Sequence, residues 1–273
     1  MKLLIYSDAH EPVTEVLLRH KKELGLETLP LKELLHQANI FDEFDSKTTH
    51  LQWFAPSVGK ITNDDDTWVI NRVFGVYEEW FSDFVEEDCS YAQSEFWAYL
   101  VFALQSFPKI TERPNVGSLN GGFYPLMDQW DTIQKNIPKL RIPRFYVGPY
   151  DYLPKDLGDL LIFTTPYNFY YWKPTPTKNE MDKNIFAIKK PRGKPILAFL
   201  SPEKISLHSM DNSPLKIEGD LRNTICEAAQ AIQKLFGFFF CEILFFMWGK
   251  ELTFGMVHNC PVGSARTHGF EEK

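Results

Sequence analysis

The hydrophobic pattern at the start of the chain predicts a strand followed by a helix. "KLLIY" at 2–6 is a short continuous apolar run, which is typical of a buried strand. In residues 11–25 apolar positions recur at helical spacing, and Gly25 follows as a C-terminal cap. "TWVINRVF" at 67–74 predicts another strand, and "YAQSEFWAYLVFALQSF" at 91–107 predicts a largely buried helix. The first hundred residues or so therefore predict an α/β subdomain.

The pattern changes after a glycine-rich turn, "NVGSLNGG" at 115–122. A helix is predicted at 124–136, and residues 145–200 alternate strand-like runs with prolines, which is typical of a small antiparallel sheet. Residues 218–237 then form one well-marked amphipathic helical pattern. The chain as a whole predicts an α/β (α+β) fold that ends in a helix and a hairpin.

The hairpin is predicted from two apolar runs, "FFFCEILFFMW" and "ELTFGMVHN", that flank Gly249–Lys250. A two-residue turn with glycine first is favourable for such a hairpin, and it sets Trp248 opposite Glu251. Glu242 then lies inside the first apolar strand. A carboxylate is costly to bury unless it is paired, hydrogen-bonded or bound to a cation, so Glu242 is a candidate functional residue.

The same register predicts the neighbours of Glu242. Counting back from the turn sets Glu242 opposite Val257, and alternation puts Glu242, Val257 and Asn259 on one face. Carboxylate and amide oxygens are hard ligands that magnesium prefers, so Glu242 and Asn259 form one candidate metal site. The alternative is that Glu242 pairs with a lysine or arginine of the central segment, and residue types alone leave both open.

Composition excludes some classes of partner. The formal charge is −7, and no run of basic residues interleaved with aromatics offers a surface for nucleic acid or anionic membranes. The four cysteines form no C-x-x-C pair, which is typical of reduced thiols in a cytoplasm. The most apolar window, residues 236–248, is shorter than the roughly 20 residues that cross a bilayer, and the apolar start is too short for a signal peptide. We therefore expect a cytoplasmic protein without membrane partners.

Two other sets of charged residues are candidate anion sites. Lys189, Lys190, Arg192 and Lys194 form one concentrated basic patch, which would either clamp a phosphate or carboxylate or form a solvated turn. Arg72, which follows Asn71 near the end of a predicted strand, would either bind an anion or pair with a nearby acid; we expect the pairing.

The order of motifs near the C-terminus resembles the core of the ATP-grasp superfamily, its RimK-like branch in particular. The motifs are a helix ending "AIQKLFG", a strand "FFFCEILFF", a turn and a strand ending "VHNCP". In that superfamily the first strand carries an Asp or Glu and the second a Glu-x-Asn. The resemblance places Glu242 on the first acid, Val257 on the Glu and Asn259 on the Asn.

The resemblance also implies a nucleotide site and a division of the chain. "YYWKP" at 170–174 is similar to the lid strand whose lysine meets nucleotide phosphates, which implies that role for Lys173. Lys189, Lys190 and Arg192 are expected on phosphates as well, with ATP and magnesium as cofactors. The implied parts are an N-terminal α/β subdomain at 1–114, a linker helix and reduced antiparallel lid at 115–200, and an antiparallel core with helices at 201–273.

The function that the resemblance implies is ATP-dependent joining of a carboxylate to an amine through an acyl phosphate, with a small molecule or peptide as substrate. Two departures oppose it. Val257 stands where a glutamate ligand is expected, and the proline-containing "TPTKNE" follows "YYWKP" where a mobile glycine-rich loop is usual. The alternative is a degenerate member that acts as a binding or regulatory module and does not turn over ATP.

Overall fold

The computed structural model divides the chain into two compact units, Met1–Phe123 and Tyr124–Lys273. The residues it describes are 1–45, 48–115, 117–158, 160–181, 183–209, 215, 217 and 219–260.

The N-terminal unit is built on a parallel sheet with strand order β2-β1-β8-β9. Short antiparallel strands between β2 and β8 form two smaller sheets. The strands of this unit are β1 (Lys2–Tyr6), β2 (Leu26–Pro30), β3 (Asn39–Ile40), β4 (Glu43–Phe44), β5 (Thr49–His50), β6 (Gln52–Ala55), β7 (Gly59–Thr62), β8 (Trp68–Arg72) and β9 (Lys109–Ile110).

The helices of the N-terminal unit are α1 (Pro12–Arg19), α2 (Lys21–Leu24), α3 (Leu31–His36) and α4 (Glu86–Gln105). The helix predicted after β1 is thus present but interrupted at His20, and Gly25 ends it with a φ of 62°. The two predicted strands and the buried helix are confirmed as β1, β8 and α4. Apolar side chains from the strands and α4 make one core, in which Leu3, Trp53 and Leu100 have no exposed surface.

The C-terminal unit contains two four-stranded sheets. The first, which we name the lid sheet after the lid predicted for this region, has the order β10-β13-β11-β12. The second, the C-terminal sheet, has the order β15-β14-β16-β17, and both are antiparallel. Their strands are β10 (Phe145–Pro149), β11 (Leu161–Thr165), β12 (Asn168–Lys173), β13 (Asn184–Lys189), β14 (Lys194–Leu200), β15 (Ile205–Ser209), β16 (Cys241–Trp248) and β17 (Glu251–His258). The predicted small antiparallel sheet and C-terminal antiparallel core are therefore both present.

The helices of this unit are α5 (Leu126–Asn136), α6 (Lys178–Met181) and α7 (Gly219–Phe236). The helices predicted at 124–136 and 218–237 are confirmed as α5 and α7. The buried residues of α7 recur at helical spacing and pack in one core with the C-terminal sheet: Ile225, Ala229, Ile232 and Phe236.

Pairing of β14 with β16 fixes the extent of the C-terminal sheet. Lys194 lies opposite Met247 and Leu200 opposite Cys241, so residues 194–200 belong to the C-terminal sheet. The three-part division at residues 114 and 200 stays a prediction.

The hairpin turn is as predicted, but the register beyond it is not. Gly249 and Lys250 form the turn, and Trp248 lies opposite Glu251. Further along, Phe245 pairs with Phe254 whereas Leu244 pairs with Met256, so Gly255 is an extra residue on β17. This β-bulge shifts the remaining pairs by one position.

Helix α5 lies against the outer edge of β17 and bonds its backbone. The Trp130 indole Nε1 donates to the Gly255 carbonyl (2.7 Å), and the Gln129 side-chain oxygen accepts from the Val257 amide (2.8 Å). The backbone of Arg141 makes two more bonds, to Leu252 and Phe254. An edge strand would otherwise leave these groups without protein partners, so α5 and Arg141 hold the bulged strand in place.

We expect Gly255→Ala to destabilise the C-terminal unit by about 1 to 2 kcal/mol, because a Cβ there would lie 3.0 Å from the Leu244 Cγ and 3.0 Å from the Phe246 Cε2. Calorimetric unfolding measures the change. Gly75→Ala is the control, since its Cβ would meet only the Tyr77 Cε1 at 3.7 Å. Equal stability of the two variants would contradict this account of the bulge.

Candidate functional site

Glu242 is a buried carboxylate on the lid-facing side of the C-terminal sheet. It is 1% exposed, and it lies directly opposite Phe199 on β14 and His258 on β17. Paired residues of an antiparallel sheet project from the same face, so these three side chains lie on one face of the C-terminal sheet. The neighbouring Ile243 projects from the other face and packs in the core that includes α7.

The lid sheet supplies a hydrogen-bond partner for Glu242. The hydroxyl of Tyr170 on β12 donates to the Glu242 Oε1 at 2.7 Å. Next to it, the ring of Phe169 lies 5.4 Å from that of Phe246. Burial, and then the charge of Glu242, raise the pKa of Tyr170 well above its ordinary value. Tyr170 therefore stays protonated and remains a donor at neutral pH.

Sequence reasoning missed Tyr170. It considered a lysine or arginine of the central segment as the partner of Glu242, and the structure places a tyrosine of that segment there. The only signal available was general: a buried tyrosine usually finds a hydrogen-bond partner. Nothing in the run "NFYYWK" indicates which residue that partner is.

The prediction that Val257 lies opposite Glu242 is wrong, because the bulge at Gly255 shifts the register. Val257 lies opposite Ile243 and is buried in the core that includes α7. The β17 residues on the face of Glu242 are Met256 and His258.

Asn259, the second predicted magnesium ligand, follows the last residue of β17 and is 8% exposed. The sequence prediction placed Asn259 beside Glu242 on one face of the hairpin. That placement depended on a strand register, and the bulge changes that register. The backbone amide of Cys260 donates to the Nδ1 of His258 at 2.9 Å, so that ring nitrogen is an acceptor.

The donors around Glu242 do not fit a magnesium site of several carboxylates. Magnesium prefers oxygen ligands, whereas Met256 offers a thioether and His258 an imidazole. Within the described ranges, no group of three or more His, Cys, Asp or Glu side chains is placed to hold a metal ion. The metal role of Glu242 and Asn259 stays a prediction.

Lys173 is the last residue of β12, three positions after Tyr170. It pairs with Phe163 within the lid sheet. At about 3.3 Å per residue it lies roughly 10 Å along the strand from the tyrosine that contacts Glu242. Its role on phosphates stays a prediction.

A basic cavity of about 560 Å³ lies beside the turn of the β16–β17 hairpin. It contains the predicted cluster Lys189, Lys190 and Arg192, and it adds two arginines that sequence reasoning did not consider, Arg141 and Arg144. The structure therefore brings the three predicted basic residues together at one position. Trp248 and Glu251, which flank the hairpin turn, complete this side of the wall.

Gly193 sets the basic segment close to the end of β16. Its φ is +102°, and a Cβ there would lie 2.0 Å from the Met247 carbonyl oxygen. Only glycine allows this approach.

The basic cavity and Glu242 are separate places in the C-terminal unit. Trp248 lines the cavity, and Glu242 lies six residues earlier on the same strand. At a rise of about 3.3 Å per residue the two are roughly 20 Å apart. The predicted magnesium residues and the predicted phosphate residues 189–192 are therefore not neighbours.

A buried ion pair in the N-terminal unit explains Arg72. The Arg72 side chain is fully buried, and its Nη2 lies 2.5 Å from the Glu11 Oε1. Glu11 also accepts from the backbone amides of Val13 and Thr14 at the start of α1. The expected pairing of Arg72 with an acid is confirmed, although sequence reasoning did not name Glu11. Burial raises the pKa of Glu11, but the charge of Arg72 and the hydrogen bonds outweigh it and lower that pKa overall.

Solved structures of ATP-grasp ligases share the fold of this chain. One is the macrocyclase MdnC of Microcystis aeruginosa MRC, bound with precursor peptide MdnA. Its TM-score is 0.68 at 11% identity, and the match covers 95% of this chain and 91% of that one. A second is the RiPP-associated ATP-grasp ligase of Chryseobacterium gregarium, in complex with ADP and a leader and core peptide. Its TM-score is 0.66 at 12% identity, and the match covers 95% of this chain and 88% of that one. A third is the D-alanine–D-alanine ligase of Bacillus anthracis. Its TM-score is 0.56 at 10% identity, and the match covers 95% of this chain and 86% of that one.

The architecture is thus the ATP-grasp fold, as the resemblance of the C-terminal motifs predicts. No protein-family model and no curated protein sequence matches the chain. In the part of the chain that the structure describes, no helix has both the length and the apolar character needed to cross a membrane.

We expect Glu11→Gln to lower the stability of the N-terminal unit by roughly 3 kcal/mol at pH 7, because the buried Arg72 loses the charge of its partner. The pKa of Glu11 is lower in the folded protein than its value near 4.5 in the unfolded chain. The contribution of ionised Glu11 to folding stability is therefore present above pH 4.5 and is lost as the pH falls below that value. The difference between wild type and variant should therefore narrow below pH 4.5.

Urea unfolding at a series of pH values measures both effects. Glu15→Gln is the matched control, because its partner Arg19 is exposed and such a pair contributes little. A constant difference between wild type and Glu11→Gln down to pH 3 would contradict the assignment.

Proposed function

We propose that this protein is a peptide-binding member of the ATP-grasp fold that does not turn over ATP. One observation carries the proposal: Glu242 is the one carboxylate among the paired residues Glu242, Leu244, Met256 and His258 of the described hairpin. Phosphoryl transfer in a ligase depends on cations that neutralise the phosphates. A single carboxylate among these paired residues favours a protein that does not carry out this step.

The role of Glu242 in this proposal is structural. Its carboxylate accepts the Tyr170 hydroxyl and so joins the C-terminal sheet to the lid sheet, next to the aromatic contact of Phe169 with Phe246. A charge-assisted hydrogen bond of this kind offsets part of the cost of burying a carboxylate.

The peptide part of the proposal is supported by likeness. MdnC is described as bound with its precursor peptide, and the Chryseobacterium ligase as in complex with a leader and core peptide. A fold can keep a binding surface while the chemistry at another position changes. We also propose the RimK-like branch, the cytoplasm as location and the three-part division of the chain.

The second candidate is an ATP-dependent carboxylate-amine ligase that uses magnesium, with Lys173, Lys189, Lys190 and Arg192 on phosphates. The observation that favours it is that the fold matches ATP-grasp ligases over about 95% of this chain. The position of Lys173 on the strand that carries Tyr170 is compatible with it.

A calorimetric titration of ATP with and without magnesium separates the two candidates. The binding module predicts no magnesium-dependent binding of ATP in wild type and no change in Glu242→Ala. The ligase predicts saturable binding that weakens without magnesium and in the variant. That second result, with release of ADP, would overturn the proposal.

We expect His258→Asp to create a cation site that the wild type lacks. The new carboxylate would lie directly opposite Glu242, with Cβ atoms roughly 5 Å apart, so the two charges would repel unless a cation binds between them. Excess magnesium should raise the melting temperature of the variant by several degrees and leave wild type unchanged.

His258→Asn is the matched control, since it changes the same side chain without adding a charge. Magnesium stabilisation of wild type equal to that of His258→Asp would mean that Glu242 and its present neighbours already hold the ion.

A further inference from the structure

The geometry points to the basic cavity as the binding site for an acidic segment of a peptide. This inference rests on the proposed peptide-binding function and gives it a place and a substrate class. The cavity is lined by Arg141, Arg144, Lys189, Lys190 and Arg192, with Glu251 as the acid among its lining residues. The formal charge of the whole chain is −7, so this concentration of positive charge runs against the average of the molecule.

Two of these arginines already hold carboxylates. The Arg141 Nη1 lies 2.6 Å from the Glu251 Oε2, and the Arg144 Nη2 lies 2.6 Å from the Asp156 Oδ2. All four side chains are about half exposed or more, and exposed pairs of this kind contribute little to stability. A carboxylate from a peptide can therefore replace the internal acid at small cost, with the same geometry.

The wall also has an apolar part. Trp248 is 58% exposed at the edge of the cavity, and Pro143 and Pro191 line it with Ile142. An aromatic ring beside several cations recognises a chain that carries apolar groups between its acids. Free phosphate offers no such groups.

The cations come from two segments that meet at the cavity, residues 141–144 and 189–192. The amide of Lys189 donates to the carbonyl of Arg144, which joins the segments, and Gly193 fixes the second one against the Met247 carbonyl. The charges are thus spread along a fixed wall, which suits several separate carboxylates better than one compact anion.

The edge of the lid sheet begins at the same place. Strand β10 starts at Phe145, next to Arg144, and it is an edge strand that β13 bonds on one side. An extended peptide can add to such an edge through its backbone while its acidic side chains reach the cations. The site is therefore complementary to an extended, acidic peptide segment.

Fluorescence anisotropy with the full chain tests the inference. The probe is a fluorescein-labelled decapeptide of alternating glutamate and alanine, and the control probe carries glutamine in place of glutamate. We expect the acidic probe to bind wild type and the control probe to bind at least roughly tenfold more weakly.

Charge reversal locates the site. The double variant Lys189→Glu with Arg192→Glu should weaken binding of the acidic probe by roughly tenfold or more. The single variant Lys189→Gln should weaken its binding less. The matched control is Arg222→Glu with Lys234→Glu, which changes the net charge equally on exposed positions of α7 and should change binding less than twofold. Trp248→Ala should weaken binding severalfold.

Three results would overturn the inference: no binding of the acidic probe, equal loss in the two double variants, or complete displacement of the probe by inorganic phosphate or ATP at equal concentration. The last would make the cavity a phosphate site. These three results concern probe binding at the cavity, so they are distinct from a magnesium-dependent ATP result, which would overturn the claim that ATP is not turned over.

Discussion

The extra residue at Gly255 decides which side chains of β17 share a face with Glu242. Without it, the two-residue turn would set Glu242 opposite Val257; with it, Glu242 lies opposite His258, and Val257 lies opposite Ile243 on the other face. Glycine suits the bulge, because a Cβ would come within 3.0 Å of side-chain atoms of Leu244 and Phe246. The side chains of α5 then bond the backbone of Gly255 and Val257, so the shifted register is fixed from both sides of the strand.

Apolar side chains and one hydroxyl donor form part of the environment of Glu242. Leu244 and Met256 are almost fully buried on its face, and Tyr170 donates to its carboxylate from the lid sheet. A buried carboxylate that lost this donor would keep its desolvation cost, which makes the contact between the sheets specific as well as favourable. The bond to Tyr170 thus gives this buried glutamate a protein partner.

The sequence predicted the elements of the fold better than the contacts of the site. Apolar periodicity and the glycines at 25 and 249 located β1, α4, α7 and the hairpin, because these are local signals. The register of β17 failed because counting from a turn is valid only until a bulge, although a glycine inside a strand, here Gly255, is itself a known sign of one. Tyr170 and Glu11 could not be identified as partners, because their contacts join segments far apart in sequence, 72 and 61 residues respectively.

The two ends of strand β16 are subject to different constraints. At one end Glu242 is enclosed by the lid sheet, so a substitution there must satisfy packing and a hydrogen bond together. At the other end Trp248 and the basic side chains are largely exposed, and their positions depend on the backbone approach at Gly193 rather than on a core. Chemistry at the enclosed end can be lost without disturbing the exposed end, because roughly 20 Å of rigid strand separates them. A fold shared with ligases is therefore compatible with a protein that keeps recognition and has given up turnover.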